Sequence, residues 1–280
     1  MSENRKKIIA FNYFGGKYQW LEQLYPLFPK HQHFIDLFCG SMSVALNKKP
    51  SFLDTANDLD GNVYNFFKVL REKPTELIRV LELTPVSRQE YKSCFPMEHE
   101  CEIEKARRFF VRCRMSFQGS GISKSTGFNA CIKTSQQGVS KNVAKYLNSV
   151  AGLTEVVNRL KTIQVENLDY RDCLKRYDYS EAFFYVDPPY ELRKRNYKKW
   201  YGHEFVKDND HIDLRDALSN IHGKAMVSGY HSPLYEELYK DWTFIRLKPK
   251  GHSMKGGKLQ EECVWINYTP YVRINSTLEI

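Results

Sequence analysis

An apolar run that ends in an acid and two prolines most constrains how this chain can fold. Residues 183–186 read Phe-Phe-Tyr-Val, which is the pattern of a short buried strand. The next four residues are Asp187, Pro188, Pro189 and Tyr190. The strand ends here because neither proline can donate a ladder hydrogen bond. This predicts a carboxylate, a rigid turn and an aromatic ring at the carboxyl end of a strand, where open α/β sheets bind ligands.

The chemistry of this tetrapeptide suits a planar group that carries an amine. The rigid turn directs the Asp187 carboxylate and a backbone carbonyl oxygen to one point, and both groups accept hydrogen bonds. Tyr190 adds a flat face beside them. The alternative is a plain acidic turn after a core strand, because a single tetrapeptide recurs by chance.

Composition excludes several classes of protein. The chain has 280 residues and 42% hydrophobic residues, enough for one large domain or for a domain with an insertion. Its apolar runs fall short of the roughly 20 residues that span a bilayer. The segment Met1 to Lys7 is polar and basic and is followed by no apolar signal-peptide core, so we expect a cytoplasmic protein. The seven cysteines are scattered without a Cys-x-x-Cys pair, so we predict neither a disulfide framework nor a metal site.

Charge points to a polyanionic partner. The formal net charge is +9, which fits either nucleic-acid binding or ordinary basic solubility. The basic residues form two clusters, and the second follows the tetrapeptide and is interleaved with aromatic residues. The clusters are Lys105, Arg107, Arg108, Arg112 and Arg114, then Arg193, Lys194, Arg195, Lys198 and Lys199. Cations mixed with flat rings suit phosphate neutralisation and base stacking.

The first third of the chain has the element order of a nucleotide-binding α/β fold. Strands are predicted over 33–39, ending at Gly40, and over 51–53, ending near Asp58, and helices over 42–48 and 61–71. Strand, glycine turn, helix, strand and acid is the opening of such a fold.

The alternation of predicted strands and helices is interrupted after residue 84 and later resumes. Residues 85–161 are polar and basic, with a helix predicted over 102–114. The later strands are predicted over 162–165, 182–186, 224–227, 243–247 and 263–268. We therefore predict one α/β catalytic domain formed by residues 1–84 and 162–280. We predict a mostly helical, recognition-like insertion in this domain over 85–161.

Small residues and acids mark further candidate contacts. Gly40 follows the first strand, and a glycine lets a ligand approach the backbone closely. Asp58 is placed like an acid that holds ribose hydroxyls, although it could instead cap the following helix. The N-terminal segment with Gly15, Gly16 and Lys17 joins two permissive glycines to a cation, or is simply a turn into a helix at Trp20.

Together these segments resemble the Dam-like DNA adenine-N6 methyltransferases. In that family an aromatic-x-Gly-Gly-Lys segment, an acid-x-Phe-x-Gly turn, an Asn-Asp pair, a recognition insertion and Asp-Pro-Pro-Tyr follow one another in this order. The match covers nearly the whole chain. It implies a Rossmann-like S-adenosylmethionine-dependent fold and site-specific methyl transfer to the N6 amine of a flipped adenine. The implied partner is double-stranded DNA, and a cognate restriction endonuclease would complete a restriction–modification pair.

The resemblance also implies roles for individual residues. The cofactor-binding set is Tyr13, Gly15, Gly16, Lys17, Asp36, Phe38, Gly40, Asp58, Asp169 and Tyr170. The catalytic set is Asp187, Pro188, Pro189 and Tyr190. The predicted DNA-contacting residues are Arg112, Arg114, Lys124, Asn129, Lys194 and Lys198. In the same part of the chain as Arg114 and Asn129, residues 117–119 and 127–129 resemble the two ends of the family's recognition hairpin.

The chain departs from the family in two places, and other functions remain open. Tyr13-Phe14 stands where Trp-Ala is usual, and Ser41-Met42-Ser43 stands where a third small residue is common. An N4-cytosine methyltransferase would use nearly the same site, although such enzymes more often carry Ser at the first position of the tetrapeptide. An RNA or protein-amide methyltransferase and a silent DNA-binding module are further alternatives. The sequence specifies neither the recognition site nor the oligomeric state.

Overall fold

The computed structural model describes most of the chain. The described residues are 7–13, 15–117, 127–131, 133, 138–191, 205, 207–248 and 262–270. Within these ranges no helix is both long and apolar enough to cross a membrane.

A seven-stranded sheet organises the described part of the chain, in the order β3-β2-β1-β4-β5-β7-β6. The strands are β1 (His33–Asp36), β2 (Leu53–Asn57), β3 (Gln164–Glu166), β4 (Ala182–Val186), β5 (Lys224–Tyr230), β6 (Thr243–Arg246) and β7 (Glu262–Ile266). Neighbours among β1 to β5 pair in parallel, whereas β7 pairs antiparallel with both β5 and β6. This mixed α/β sheet confirms the predicted Rossmann-like fold.

Helices cover both faces of the sheet. The α-helices of the described ranges are α1 (Leu21–Leu24), α2 (Ser43–Asn47), α3 (Gly61–Glu72), α4 (Pro74–Glu82), α5 (Arg88–Ser93), α6 (Glu102–Met115), α7 (Lys141–Ala151), α8 (Leu153–Leu160), α9 (Tyr170–Tyr177), α10 (Asp208–Ser219) and α11 (Pro233–Leu238). Because strand side chains alternate, Phe34 and Phe183 join one hydrophobic core while Ile35 and Phe184 join the other. Both faces of β1 and β4 are therefore buried, which explains the two apolar residues at the centre of β1 and the apolar run of β4.

The strand order reverses between β1 and β4. From β1 the sheet extends through β2 to β3 on one side, and through β4 to β5 on the other. Asp36, the last residue of β1, pairs in register with Tyr185, so Asp187 lies just beyond the end of β4. A crevice at the carboxyl ends of these two strands is the expected ligand position in such a sheet.

The helices between residues 85 and 161 share a core with the rest of the fold. Phe110 of α6 stacks on Phe66 of α3, with ring centroids 5.8 Å apart. The Tyr146 hydroxyl of α7 donates to the Leu81 carbonyl of α4 at 2.9 Å. The same core continues to Phe34 of the sheet. The division into a catalytic domain and an inserted recognition domain stays a prediction.

The predicted boundaries of the first two strands need correction. The first strand was expected over 33–39, but β1 ends at Asp36, and the second strand differs in a more informative way. It was expected over 51–53, but β2 runs from Leu53 to Asn57 and includes a buried acid, Asp54. Lys48 Nζ lies 2.6 Å from Asp54 Oδ1, and Arg159 of α8 lies 2.5 Å from Oδ2. These two cations offset the cost of burying the carboxylate, and hydropathy alone cannot reveal them.

Candidate active site

A cavity of about 280 Å³ occupies the crevice at the strand ends. All ten residues of the predicted cofactor-binding set line it, together with Asp187 and Pro189. The N-terminal segment, the turn after β1, the end of β2 and the loops before α9 and after β4 supply these residues. Segments that lie far apart in sequence therefore meet at one cavity, as the predicted set requires.

The turn after β1 brings backbone against an aromatic ring. Gly40 has φ +47°, and a Cβ placed there would lie 2.8 Å from Cδ1 of Tyr13. Only glycine accommodates both the backbone conformation and this approach. Met42, two residues later, also has a positive φ, 58°, and its side chain is buried. The turn thus fixes Tyr13 at the cavity wall.

Gly40→Ala should weaken binding of S-adenosylmethionine, the cofactor that the family resemblance implies. The new methyl group must displace Tyr13, and the left-handed backbone costs about 1–2 kcal/mol in a non-glycine residue. We expect affinity for S-adenosylmethionine to fall on the order of tenfold, with a lower melting temperature. Gly61→Ala is the matched control, because a Cβ at Gly61 meets nothing within 4 Å. Equal calorimetric affinities for the two variants would contradict this account of the turn.

Asp58 fastens the same turn to the end of β2. Its Oδ2 accepts the backbone N–H of Gly40 at 2.8 Å, and its Oδ1 accepts that of Asp60 at 2.9 Å. The side chain that caps α3 is Asp60, which accepts the N–H of Asn62 at 2.9 Å. The alternative role of Asp58 as a helix cap is therefore wrong. A carboxylate oxygen has two lone pairs and can accept more than one hydrogen bond, so this chemistry suits a ligand hydroxyl.

Three aromatic rings gather at another part of the cavity wall. The centroids of Phe38 and Tyr170 are 5.8 Å apart, and Phe205 lies 5.9 Å from Phe38 and 6.1 Å from Tyr170. The Tyr170 hydroxyl is buried and makes no hydrogen bond within the described residues. Asp169 caps α9 by accepting the N–H of Arg171 at 2.9 Å. This wall suits a planar purine.

Asp36 presents a buried acceptor to the cavity. It is 2% exposed, and Oδ2 has no hydrogen-bond partner in the described part of the chain. Burial, then the neighbouring Asp187 carboxylate, raises the pKa of Asp36 well above its usual value. A buried acceptor without a partner costs free energy, so this position fits a cationic or hydrogen-bond-donating part of a ligand.

Lys17 lies directly on Asp187. Its Nζ is 2.7 Å from Oδ1 and 2.8 Å from Oδ2, and it also donates to the Gly15 carbonyl at 3.0 Å. The Ser228 hydroxyl of β5 donates to Oδ1 at 2.9 Å. Lys17 is 3% exposed; although burial opposes its charge, Asp187 and Glu262 hold its pKa above the usual value. The lysine predicted with the cofactor-binding residues thus contacts the acid of the tetrapeptide.

Sequence reasoning missed two residues of this cluster, Ser228 and Glu262. Glu262 Oε1 accepts the Tyr190 hydroxyl at 2.5 Å and lies 3.5 Å from Lys17 Nζ. Burial raises the pKa of Glu262 to about 7 against the opposing effect of Lys17. A polar residue near the end of the strand beside β4 could have indicated Ser228, because parallel strand ends share one edge. Glu262 lies at the start of an antiparallel strand and gives no comparable local signal.

The structure corrects the prediction of a DNA contact for Arg112. Its side chain is 1% exposed, with the guanidinium 3.9 Å from the ring centroid of Tyr91 and 3.2 Å from that of Phe95. Burial lowers the pKa of Arg112 to about 10. Arg112 is therefore a packing residue of α6, placed by cation–π contacts, and is not open to a phosphate or a base.

The other predicted DNA-contacting residues are placed only in part. Lys124, Lys194 and Lys198 lie outside the described residues. Arg114 is half-buried and donates to Asn12 Oδ1 at 2.7 Å. Asn129 is half-buried, and its backbone N–H donates to the Met115 carbonyl at 2.8 Å.

The two ends of the predicted recognition hairpin meet. The Phe117 N–H donates to the Gly127 carbonyl at 2.9 Å. Ser116 and Phe128 form an antiparallel bridge between these segments. Phe117 is 56% exposed.

The comparison with protein families agrees with this geometry. The family model for D12 class N6 adenine-specific DNA methyltransferases matches residues 13–253. The chain belongs to this family. The match begins at Tyr13 of the cavity wall and includes Asp187 and Tyr190.

Curated relatives include a type II methyltransferase and a modification methylase. The type II methyltransferase M1.LlaDCHI of Lactococcus lactis subsp. cremoris is 27% identical over 250 residues, covering 84% of this chain and 85% of that protein. The modification methylase StsI of Streptococcus sanguinis is 24% identical over 274 residues, covering 88% of this chain and 39% of that protein. The DNA N-6-adenine-methyltransferase of Escherichia phage P1 is 24% identical over 253 residues, covering 85% and 32%. The chain thus spans most of the first relative and less than half of the other two.

Proposed function

We propose that this protein transfers a methyl group from S-adenosylmethionine to the N6 amine of an adenine flipped out of double-stranded DNA. Adenine-specific DNA methylation is the reaction of the family to which the chain belongs. The observation that carries the proposal for this chain is one cavity lined by Asp36, Asp58, the rings of Phe38 and Tyr170, and Asp187.

The residues that line the cavity fit S-adenosylmethionine. Asp36 would accept from its ammonium group, because Oδ2 is buried and has no partner among the described residues. Asp58 would accept from the ribose hydroxyls, and the rings of Phe38 and Tyr170 would flank the adenine. When bound, S-adenosylmethionine supplies a methyl group activated by a sulfonium.

The tetrapeptide would activate the target amine. An adenine amine is a poor nucleophile, because its lone pair is delocalised into the purine ring. The Asp187 carboxylate and the Pro188 carbonyl can each accept one amine hydrogen, which favours a pyramidal nitrogen with its lone pair directed at the methyl group. As the new N–C bond formed and the C–S bond of the sulfonium broke, nitrogen would gain positive charge, which the Asp187 carboxylate would stabilise until one amine proton is lost to solvent. Positioning by fixed acceptors therefore supplies most of the effect.

Tyr190 would hold the base outside the helix. A base inside a duplex cannot reach the cavity, so it must be flipped out and stacked on an aromatic ring. The Tyr190 ring has the Lys17 ammonium 4.7 Å from its centroid and Tyr230 packed edge-on at 4.5 Å. The net charge of +9 favours phosphate contacts that hold the duplex.

A cognate restriction endonuclease is proposed as the biological partner. Two of the relatives are named as a type II methyltransferase and a modification methylase. Methylation at a fixed site would protect host DNA from an endonuclease of the same specificity. N4-cytosine methylation is the second candidate reaction, but the acid at position 187 and the family match both favour adenine.

Nucleoside mass spectrometry of plasmid DNA from an expressing host tests the reaction. We expect N6-methyladenine in that DNA and none in plasmid from the same host, devoid of other adenine methylases, that expresses Asp187→Ala. N4-methylcytosine instead would establish the second candidate, and an unmodified plasmid would overturn both. Single-molecule methylation sequencing of the same DNA then defines the recognised site.

Asp58→Ala should weaken S-adenosylmethionine binding more than it destabilises the fold. A charge-assisted hydrogen bond contributes about 1.5–3 kcal/mol, so affinity should fall on the order of tenfold or more. Ser87→Ala is the control, because it removes the cap of α5 from Glu90 N–H far from the cavity, at about 1 kcal/mol of stability. Calorimetric titration beside a melting curve separates the two effects. Unchanged affinity in Asp58→Ala would contradict the ribose contact.

A further inference from the structure

A buried carboxylate at the start of β7 has no evident reason to be there except the candidate site. Glu262 is 4% exposed, and the four residues that follow it in β7 are Cys-Val-Trp-Ile, all buried. Burying a carboxylate is costly unless it is paired, and a hydrophobic residue would pack a strand at lower cost. We propose that Glu262 is a positioning residue for methyl transfer, which holds both Tyr190 and Lys17 in place. This inference rests on the function proposed above.

The first contact of Glu262 fixes the stacking face. The Tyr190 hydroxyl donates to Glu262 Oε1 at 2.5 Å, while Tyr230 packs edge-on against the Tyr190 ring with centroids 4.5 Å apart. The ring is thus held at its hydroxyl by a carboxylate and contacted by another ring at an interplanar angle of 71°. A flipped base then stacks on a ring whose orientation is already set. Only the base, and not the ring, loses conformational entropy on stacking.

The second contact of Glu262 concerns the cation on Asp187. Lys17 Nζ lies 2.7 Å from Asp187 Oδ1 and 3.5 Å from Glu262 Oε1, so two carboxylates share one ammonium group. An incoming amine must share the Asp187 oxygens with Lys17. Glu262 then offers Lys17 a second acceptor within reach, so the cation stays charged and buried beside the reacting atoms. Both contacts converge on a single oxygen, Oε1.

The test compares rates with binding in Glu262→Gln and Glu262→Ala. Each purified variant is mixed with labelled S-adenosylmethionine and unmethylated plasmid DNA at a pH above 7. The single-turnover rate is then divided by the fraction of protein molecules that are folded. Affinity for S-adenosylmethionine is measured by calorimetry, which reports on the cavity independently of activity. We expect the rate to fall on the order of a hundredfold in Glu262→Ala and about tenfold in Glu262→Gln. Affinity for S-adenosylmethionine should stay within about twofold.

Two further variants separate positioning from general stability. Asp54→Asn also removes a buried, ion-paired carboxylate, but at the opposite end of the strands, and should lower the melting temperature without changing the rate per folded molecule. Tyr190→Phe removes the other end of the Glu262 bond and keeps the ring. Tyr190→Phe and Glu262→Gln both disrupt the same hydrogen bond. The double variant should therefore slow the reaction by less than the product of the two single effects.

The outcomes distinguish the inference from the proposed function. Wild-type protein that makes N6-methyladenine, with Glu262 variants of equal rate per folded molecule, would overturn the inference alone. Fully multiplicative effects of Tyr190→Phe and Glu262→Gln would also overturn it, because the two side chains would then act independently. Wild-type protein that leaves adenine unmethylated would overturn the proposed function, whatever Glu262 does.

Discussion

Asp187→Ala should lower the single-turnover methylation rate by about a thousandfold or more. The carboxylate acts on the amine mainly in the transition state, as positive charge develops on nitrogen, so its loss raises the barrier and changes ground-state binding little. Affinity for S-adenosylmethionine should stay within a few-fold. DNA binding should survive, because phosphate contacts supply most of it. Labelled methyl donor in a single round of turnover, beside calorimetry, measures both quantities.

The isosteric variant Asp187→Asn is the control for packing. An amide oxygen can still accept one hydrogen bond, but it carries no charge to stabilise the developing cation or to hold Lys17. Its rate should therefore stay far below the wild-type rate although the site keeps its shape. Near-normal turnover by the Asp187→Ala protein would rule out the mechanism proposed here.

Lys17→Met should cost both stability and rate. Lys17 is 3% exposed and lies between Asp187 and Glu262, so its loss leaves two carboxylates close together in a buried site without a cation. Breaking a buried ion pair from one side costs about 3–5 kcal/mol. The Asp187 carboxylate should also shift as it moves away from Glu262, and misplacement of this kind lowers rates on the order of a hundredfold. Denaturant unfolding and single-turnover rates report the two effects.

Lys48→Met is the matched control for this prediction. Lys48 is 5% exposed and pairs with buried Asp54 at 2.6 Å, but it lies away from the cavity. It should lose stability on a similar scale while each folded molecule keeps its methylation rate. If Lys17→Met and Lys48→Met give the same rate per folded molecule, Lys17 has only a structural role.

The parts of the fold that the sequence predicts well are those with local causes. β4 covers residues 182–186 as predicted, because an unbroken apolar run and two prolines define it without help from other segments. α3 and α6 agree within one residue of their predicted ends, because their apolar residues recur at helical spacing. The tetrapeptide after β4 was recognisable for the same reason, since strand, turn and acid are contiguous.

The features that the sequence predicts poorly are those that depend on residues far away in the chain. Asp54 looks like a loop residue until Lys48 and Arg159 are seen to neutralise it. Arg112 looks like a DNA contact by charge, yet it follows Phe109 by three residues and so shares its buried side of α6. The helical spacing of Arg112 from Phe109 could have indicated that Arg112 is buried, whereas the cluster of basic residues suggested an exposed DNA contact. The contact between Lys17 and Asp187 required the sheet topology, because 170 positions separate the two residues.

The sheet order has a consequence for synthesis of the protein. β7 lies between β5 and β6, and it places Glu262 against Tyr190, which precedes it by 72 positions. A nascent chain therefore cannot complete the cluster around Asp187 until β7 has left the ribosome. If Glu262 positions Tyr190 and Lys17 as proposed, a growing polypeptide should methylate DNA at most slowly before β7 joins the sheet. For the same reason, two fragments divided between β4 and β7 should each be inactive and should regain activity only when they associate.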